Sequence, residues 1–187
     1  MKKILLAFLL TALTGFVHAE PYMQLSNSWQ ENRATGANSI APDVVIGVKN
    51  GNWQYSGMAQ YSQTELGNGT ITNSVEGRLR YNFNPVTGLK LTPYVQARLG
   101  EQIKSDSNFS YYAMDLGLSV PVVQRVDVDF TYRYRNAFDT AQNFQTNRYT
   151  AELKYKLTNK DSLGVRYGKS YGDSEINSWR LQYTHSF

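Results

Sequence analysis

From Tyr22 to the end of the chain, hydrophobic and polar side chains alternate in short runs. The segment FTYRYRNAF, residues 130–138, is a clear example, with aromatic rings at Phe130, Tyr132 and Tyr134 and polar or basic residues between them. Successive side chains of a β-strand point to opposite faces, so a period of two predicts strands with one apolar and one polar face. No stretch after residue 19 has a helical period.

These alternating runs are broken by turn residues, of which Asn50-Gly51 is the strongest hairpin signal. They predict strands at residues 22–30, 43–49, 53–62, 71–83, 91–102, 109–120, 126–136, 145–157, 162–169 and 176–187. The connections after the second, fourth, sixth and eighth strands are predicted to be tight, and several of the others are longer and more polar. A strand of about ten residues crosses a bilayer on a tilt, whereas strands of soluble proteins average about five or six.

The N-terminal segment MKKILLAFLLTALTGFVHA, residues 1–19, has two lysines, an apolar run from Ile4 to Phe16 and a small-residue end. This pattern is typical of a secretory signal peptide that is cleaved after Ala19. A retained membrane anchor is the alternative, although the apolar run is short for a bilayer span. We therefore predict two parts, a signal peptide at residues 1–19 and one domain at residues 20–187.

Aromatic residues concentrate near both ends of the predicted strands, as they do at the two interfaces of a membrane. Those on the tight-turn side are Trp53, Tyr55, Tyr81, Phe83 and Phe187, and those on the loop side are Tyr61, Tyr132, Tyr134 and Tyr149. The predicted fold is therefore all-β: a single transmembrane antiparallel up-and-down β-barrel in the outer membrane. About ten strands are expected, with twelve or eight as alternatives.

In such a barrel the apolar faces contact lipid and the polar faces line the lumen. Strand parity places a candidate anion track in the lumen, formed by Arg78, Arg80, Arg98, Arg133, Arg135, Arg148, Lys154, Arg166 and Arg180. Parity also places four acidic partners there, Glu76, Asp115, Asp129 and Glu152.

Two pairs of these arginines are expected to oppose each other, if neighbouring strands pair symmetrically about their loops. Arg133 then faces Arg148, and Arg166 faces Arg180. Directly opposed like charges are destabilising, so their repetition suggests a role. A guanidinium group offers planar, bidentate donors to carboxylate, sulfate or phosphate, and rings of basic residues favour anions in pores.

A plugged lumen is the alternative, because a ten-strand barrel is close in size to small barrels whose side chains fill the interior. Ion pairs between neighbouring arginines and acids would then block the channel. The pairs in question join Arg78, Arg98 or Arg133 to Glu76, Asp115 or Asp129.

The segments TPYVQARL (residues 92–99), LGLSVPVVQRVDVDFTYRYRNAF (residues 116–138) and YTAELKYKL (residues 149–157) resemble the oligogalacturonate-specific porin (KdgM-type) family of Gram-negative outer-membrane barrels. The resemblance implies a narrow, arginine-lined channel for acidic oligosaccharides, with Arg133 and Arg135 in its anion track. Members of that family look like twelve-strand barrels, whereas ten strands are predicted here. The predicted function is a narrow, anion-favouring porin for acidic oligosaccharides or similar small anions. The alternative is a non-conducting structural or adhesive barrel.

The predicted partners follow from this interpretation. They are outer-membrane lipid and lipopolysaccharide, an anionic oligosaccharide or small anion, and the barrel assembly machinery. The last is expected because Phe187 resembles the terminal aromatic signal of outer-membrane barrels. Without its two N-terminal lysines the chain has 17 basic and 15 acidic residues, so net charge does not suggest a nucleic-acid partner.

No catalytic, metal or cofactor site is predicted. The chain has no cysteine, and His185, predicted to face lipid near the periplasmic rim, is its one histidine after residue 19. A hydrolase or acyltransferase in an outer-membrane barrel needs a base near the outer rim, which is the opposite rim from His185. For metals, no His or Cys cluster has the spacing of a ligand set. We therefore predict that the protein is not an enzyme.

Overall fold

The computed structural model describes residues 19–64, 71–104 and 107–187. The predicted signal peptide lies outside the described residues, apart from Ala19, so its cleavage stays a prediction. Within the described ranges, no helix has the length and apolarity needed to cross a membrane.

Ten antiparallel strands close into one barrel, in which each strand pairs with the next and β10 pairs with β1. The single antiparallel barrel and the predicted count of ten strands are therefore confirmed for the described part of the chain. The strands are β1 (Glu20–Asn32), β2 (Asn38–Asn50), β3 (Trp53–Thr64), β4 (Ile71–Asn82), β5 (Thr92–Lys104), β6 (Asn108–Val123), β7 (Val126–Ala137), β8 (Thr146–Lys156), β9 (Asp161–Gly172) and β10 (Ile176–Ser186).

The barrel has two different rims. One rim carries the first residues of β1, the last residues of β10 and the connections after β2, β4, β6 and β8. We call it the turn rim. Gly51 has a φ of 56° there, which the tight β2–β3 turn requires. The β4–β5 connection, residues 83–91, is longer than predicted and is closed by a bridge between Val86 and Leu91. We call the opposite rim the loop rim, and we expect it to be extracellular, because outer-membrane barrels keep their short turns in the periplasm.

Pro42 and Pro121 lie inside strands, whereas the predicted strand bounds leave both just outside. β2 begins at Asn38 rather than at Asp43, and the pairing of β2 with β3 skips Ala41 and Pro42. β6 continues through Pro121, where its register with β7 shifts. Proline has no N–H to donate to the ladder, so both strands are irregular at these points.

The outer face of the barrel is apolar. Ile46, Leu99 and Leu116 are 65%, 59% and 56% exposed, which suits contact with lipid rather than with water. Aromatic rings contact each other near both rims. Trp53 and Tyr81 are 4.7 Å apart by their ring centroids at the turn rim, and Tyr132 and Tyr149 are 5.2 Å apart towards the loop rim.

The inner face is mainly polar, with a few large side chains packed against small ones. A small apolar cluster joins Tyr22, Val45 and Met58. Tyr111 lies directly over Gly100 of the neighbouring strand, where an added Cβ would be only 2.5 Å from the Tyr111 ring. The glycine therefore makes room for an inward-facing aromatic side chain.

Candidate functional site

All nine basic residues predicted for the lumen lie on the inner face of the barrel. They alternate along their strands with the exposed apolar side chains of the outer face, and the four predicted acidic residues are buried beside them. The strand register also opposes Arg133 to Arg148 and Arg166 to Arg180, as predicted. It opposes Arg78 to Arg98 as well, which the sequence analysis did not predict.

One group of these residues forms a continuous ion-pair network along β4 to β7. Glu76 Oε1 accepts hydrogen bonds from Arg78 Nε at 2.5 Å and from Arg98 Nη1 at 2.8 Å. Asp115 accepts from Arg98 Nη2 at 2.6 Å and from Arg133 Nε at 2.8 Å. Two carboxylates thus bridge three arginines. We call Arg78, Glu76, Arg98, Asp115 and Arg133 the bridged cluster.

A second network lies on β7 to β9. Glu152 Oε2 accepts a hydrogen bond from Arg166 Nε at 2.6 Å, and Lys154 Nζ lies 3.6 Å from Glu152 Oε1. Lys154 also pairs with Asp129. The sequence suggested ion pairs that would plug the lumen, and those that involve Glu76 and Asp115 are present. Asp129 pairs instead with lysine.

Asp43 is an interior acid that the sequence analysis missed. It is 4% exposed, its Oδ2 lies 2.9 Å from Arg180 Nη2, and its Oδ1 accepts a hydrogen bond from Ser26 at 2.7 Å. The signal was present, because Asp43 has the opposite parity to the apolar Val44. The predicted strand, however, begins at Asp43, which places this side chain at a strand end rather than inside the barrel.

Arg80, Arg135 and Arg148 differ from the other interior arginines, because no ion pair to a carboxylate is found for them within the described ranges. We call these three the unpaired arginines. Arg80, close to the turn rim, donates to Asn82 at 2.7 Å, and its guanidinium lies 3.5 Å from the ring centroid of Tyr94. The aromatic face stabilises the cation without neutralising it.

The other two unpaired arginines lie towards the loop rim. Arg135 Nε donates to the Thr146 hydroxyl at 3.2 Å. Arg148 donates to the Ser178 hydroxyl, and its Nε is buried without a hydrogen-bond partner. A buried donor without an acceptor is costly, and that cost falls when an acceptor arrives. Within the described residues, Arg148 therefore has one hydroxyl partner and no carboxylate to neutralise its charge.

The interior hydrogen bonds and ion pairs follow the wall of the barrel. In the described part of the chain they join strands that are neighbours or next neighbours, as from Gln182 on β10 to Glu152 on β8 at 2.5 Å. Another joins Tyr94 on β5 to Thr131 on β7 at 2.5 Å. These contacts order the lining without linking opposite walls.

The predicted chain-end residues lie at the turn rim. Phe187 N–H donates to the carbonyl of Pro21 at 3.0 Å, so the last residue is tied to the first strand. His185 Nδ1 lies 2.7 Å from Asp161, and its ring packs against Phe187 with centroids 4.9 Å apart. The role of Phe187 as an assembly signal stays a prediction. In residues 19–64, 71–104 and 107–187, no group of three or more His, Cys, Asp or Glu side chains is placed to hold a metal ion.

No family model and no curated protein matches the chain. Solved structures do match it. The NanC porin has a TM-score of 0.59 and 9% identity over 88% of this chain and 100% of that chain. The translocator domain of the autotransporter NalP from Neisseria meningitidis has a TM-score of 0.51 and 10% identity, over 98% of this chain and 95% of that one. The KdgM porin in complex with disordered oligogalacturonate has a TM-score of 0.49 and 13% identity, over 90% and 99%.

The fold is that of an outer-membrane β-barrel. The matching structures thus include porins of the kind that the sequence resembles. At these identities the likeness concerns the fold. Together with the apolar outer face, it supports an outer-membrane location.

Proposed function

We propose that this barrel is a narrow, anion-favouring porin and that its solutes are acidic oligosaccharides or similar small anions. The observation that carries the proposal is the presence of the three unpaired arginines on the inner face. Basic side chains that keep their charge in a lumen attract anions and repel cations. The solute class is suggested by the sequence resemblance of residues 92–157 to oligogalacturonate porins.

The distribution of the unpaired arginines along the barrel suits passage of an anion. Arg135 and Arg148 lie near the extracellular rim, and Arg80 lies near the periplasmic rim. Between them, the bridged cluster is held by its own carboxylates. An anion would therefore meet available donors at both ends and a largely neutralised lining in the middle, so that binding stays weak enough for release.

Planar-bilayer recordings in a KCl gradient test this proposal. We expect the wild-type barrel to pass more chloride than potassium, and the Arg80→Gln, Arg148→Gln double variant to shift the permeability ratio towards one. Arg33→Gln is the matched control, because Arg33 lies in the β1–β2 connection and pairs with Glu175 at 3.1 Å. An unchanged ratio in the double variant would remove Arg80 and Arg148 from the mechanism.

A non-conducting barrel is the second candidate, and the bridged cluster is the observation that favours it. Four ion pairs among five side chains hold that part of the lining together. If folded, membrane-inserted protein gives no current steps, the structural or adhesive role is favoured.

A further inference from the structure

The connection between β7 and β8, residues 138–145, turns one aromatic side chain into the extracellular mouth. The ring of Phe144 lies 4.8 Å from that of Phe109 and 5.4 Å from that of Tyr111, measured between centroids. Phe109 and Tyr111 are buried on the inner face of β6, at 7% and 4% exposure. Phe144 is therefore packed inside the mouth and against its wall.

Arg135 completes this group of side chains. Its guanidinium carbon lies 3.9 Å from the Phe144 ring centroid and 5.9 Å from that of Tyr111. Its hydrogen bond goes to the hydroxyl of Thr146, and no carboxylate pairs with it among the described residues. The partners of Arg135 are thus a hydroxyl and two aromatic rings, and a carboxylate would satisfy the guanidinium better.

The connection is tied down at its ends. Phe138 N–H donates to the carbonyl of Ser110 at 3.1 Å, and Gln145 N–H donates to the Asp173 carboxylate at 2.7 Å. Between these anchors, the hydrogen bonds that backbone N–H groups donate go to Asp139, which lies in the same connection. The packing of Phe144 is consequently the main contact that holds the middle of this segment in the mouth.

We propose that Phe109, Tyr111 and Arg135 form a binding site for an acidic sugar residue at the extracellular mouth, and that Phe144 is a built-in competitor for that site. The sugar carboxylate would pair with Arg135, and the apolar C–H face of the ring would pack on the aromatic side chains that Phe144 now covers. The sugar class rests on the proposed function, whereas the competition rests on the contacts of Phe144.

Competition has a thermodynamic signature. Suppose that a ligand binds only to molecules from whose mouth Phe144 has left. Its apparent affinity is then its intrinsic affinity multiplied by the fraction of such open molecules. Removing the Phe144 ring removes this reduction. It should therefore strengthen binding, although it deletes an aromatic contact surface beside the site.

Calorimetric titration of the detergent-solubilised barrel with tri-galacturonic acid tests the proposal. We expect Phe144→Ala to bind about tenfold more tightly than wild type, as for an open fraction on the order of one tenth. Arg135→Gln should lose binding, and neutral maltotriose should not bind. Phe138→Ala is the matched control, because Phe138 lies in the same connection but is 61% exposed on the outside. Unchanged or weaker binding by Phe144→Ala, or no binding by any variant, would overturn the proposal.

A disulfide clip gives a second test, since the chain contains no cysteine. In the Phe109→Cys, Phe144→Cys variant, the reduced form should bind tri-galacturonate more weakly than Phe144→Ala, because Phe109 belongs to the site, and oxidation should hold the connection in the mouth and abolish the binding that remains. The Ser110→Cys, Phe138→Cys variant clips the anchored end and should bind equally well in both redox states. Equal binding by the oxidised and reduced forms of the Phe109→Cys, Phe144→Cys variant would contradict the proposal.

Both titrations are independent of ion conduction. A barrel that shows the expected dependence on Phe144 but passes no current keeps the mouth site and loses the porin function. An anion-selective barrel whose affinity for tri-galacturonate does not respond to Phe144 loses only the mouth site.

Discussion

Two regions of the same barrel interior hold their arginines in different ways. In the bridged cluster, Glu76 and Asp115 each accept hydrogen bonds from two arginines and are almost fully buried. Towards the extracellular mouth, Arg135 and Arg148 have only hydroxyl and aromatic partners in the described structure. The first arrangement fixes the lining, and the second leaves positive charge available to a solute. The same residue type therefore holds the lining together in one region and, in the proposed function, would recognise the solute in the other.

The largest expected effect comes from removing a bridge. Asp115→Asn would leave Arg98 and Arg133 without their shared carboxylate, and breaking a buried pair costs about 3–5 kcal/mol. We expect the free energy of unfolding, measured by urea titration in lipid vesicles, to fall by about that amount. Asp127→Asn is the control, because its pair with Lys156 lies at the turn rim with a half-exposed lysine and should matter by at most about 1 kcal/mol. Equal losses in the two variants would remove the distinction between the regions.

A smaller effect is expected where the two regions meet. Tyr111 donates a hydrogen bond to Glu76 at 3.1 Å and also packs against Phe144, so it belongs to both. Gly100→Ala would push a methyl group into the Tyr111 ring and should reduce the free energy of unfolding by about 1–3 kcal/mol. Gly57→Ala is the matched control, since nothing lies within 4 Å of its added Cβ. A tolerated Gly100→Ala would mean that the Tyr111 ring is free to shift.

The smallest effect is expected at an unpaired arginine. Arg148→Gln removes a charge directly opposite Arg133, so the free energy of unfolding should rise slightly, by less than about 1 kcal/mol. Arg98→Gln, in contrast, breaks two ion pairs and should lower it strongly. The same urea titration measures both variants. A loss of about 2 kcal/mol or more in Arg148→Gln would place it with the structural arginines.

Strand parity predicted which way Arg98, Arg133 and Arg148 point, because the period of two is a local property of the chain. It could not predict how the charges are shared. The pair between Arg180 and Asp43 exists because β10 closes against β1, which brings the two ends of the sequence together. That closure depends on register and strand number, not on any short pattern.

The connection at residues 138–145 shows a second limit of sequence reasoning. Phe144 follows no alternation, and its neighbours are polar, so nothing local distinguishes an inward ring from an exposed one. Its position is decided by long-range packing on Phe109 and Tyr111, two residues of another strand. By contrast, the Asn50-Gly51 turn was predicted correctly, because its signal lies in two adjacent residues.

The bond from Phe187 to Pro21 means that the first strand and the final residue complete each other. Until the C-terminal strand is in place, β1 and β9 each carry a row of unsatisfied backbone groups that lipid cannot solvate. In the bilayer the ten strands are therefore stable as a closed set, and removal of β10 would expose both rows to hydrocarbon.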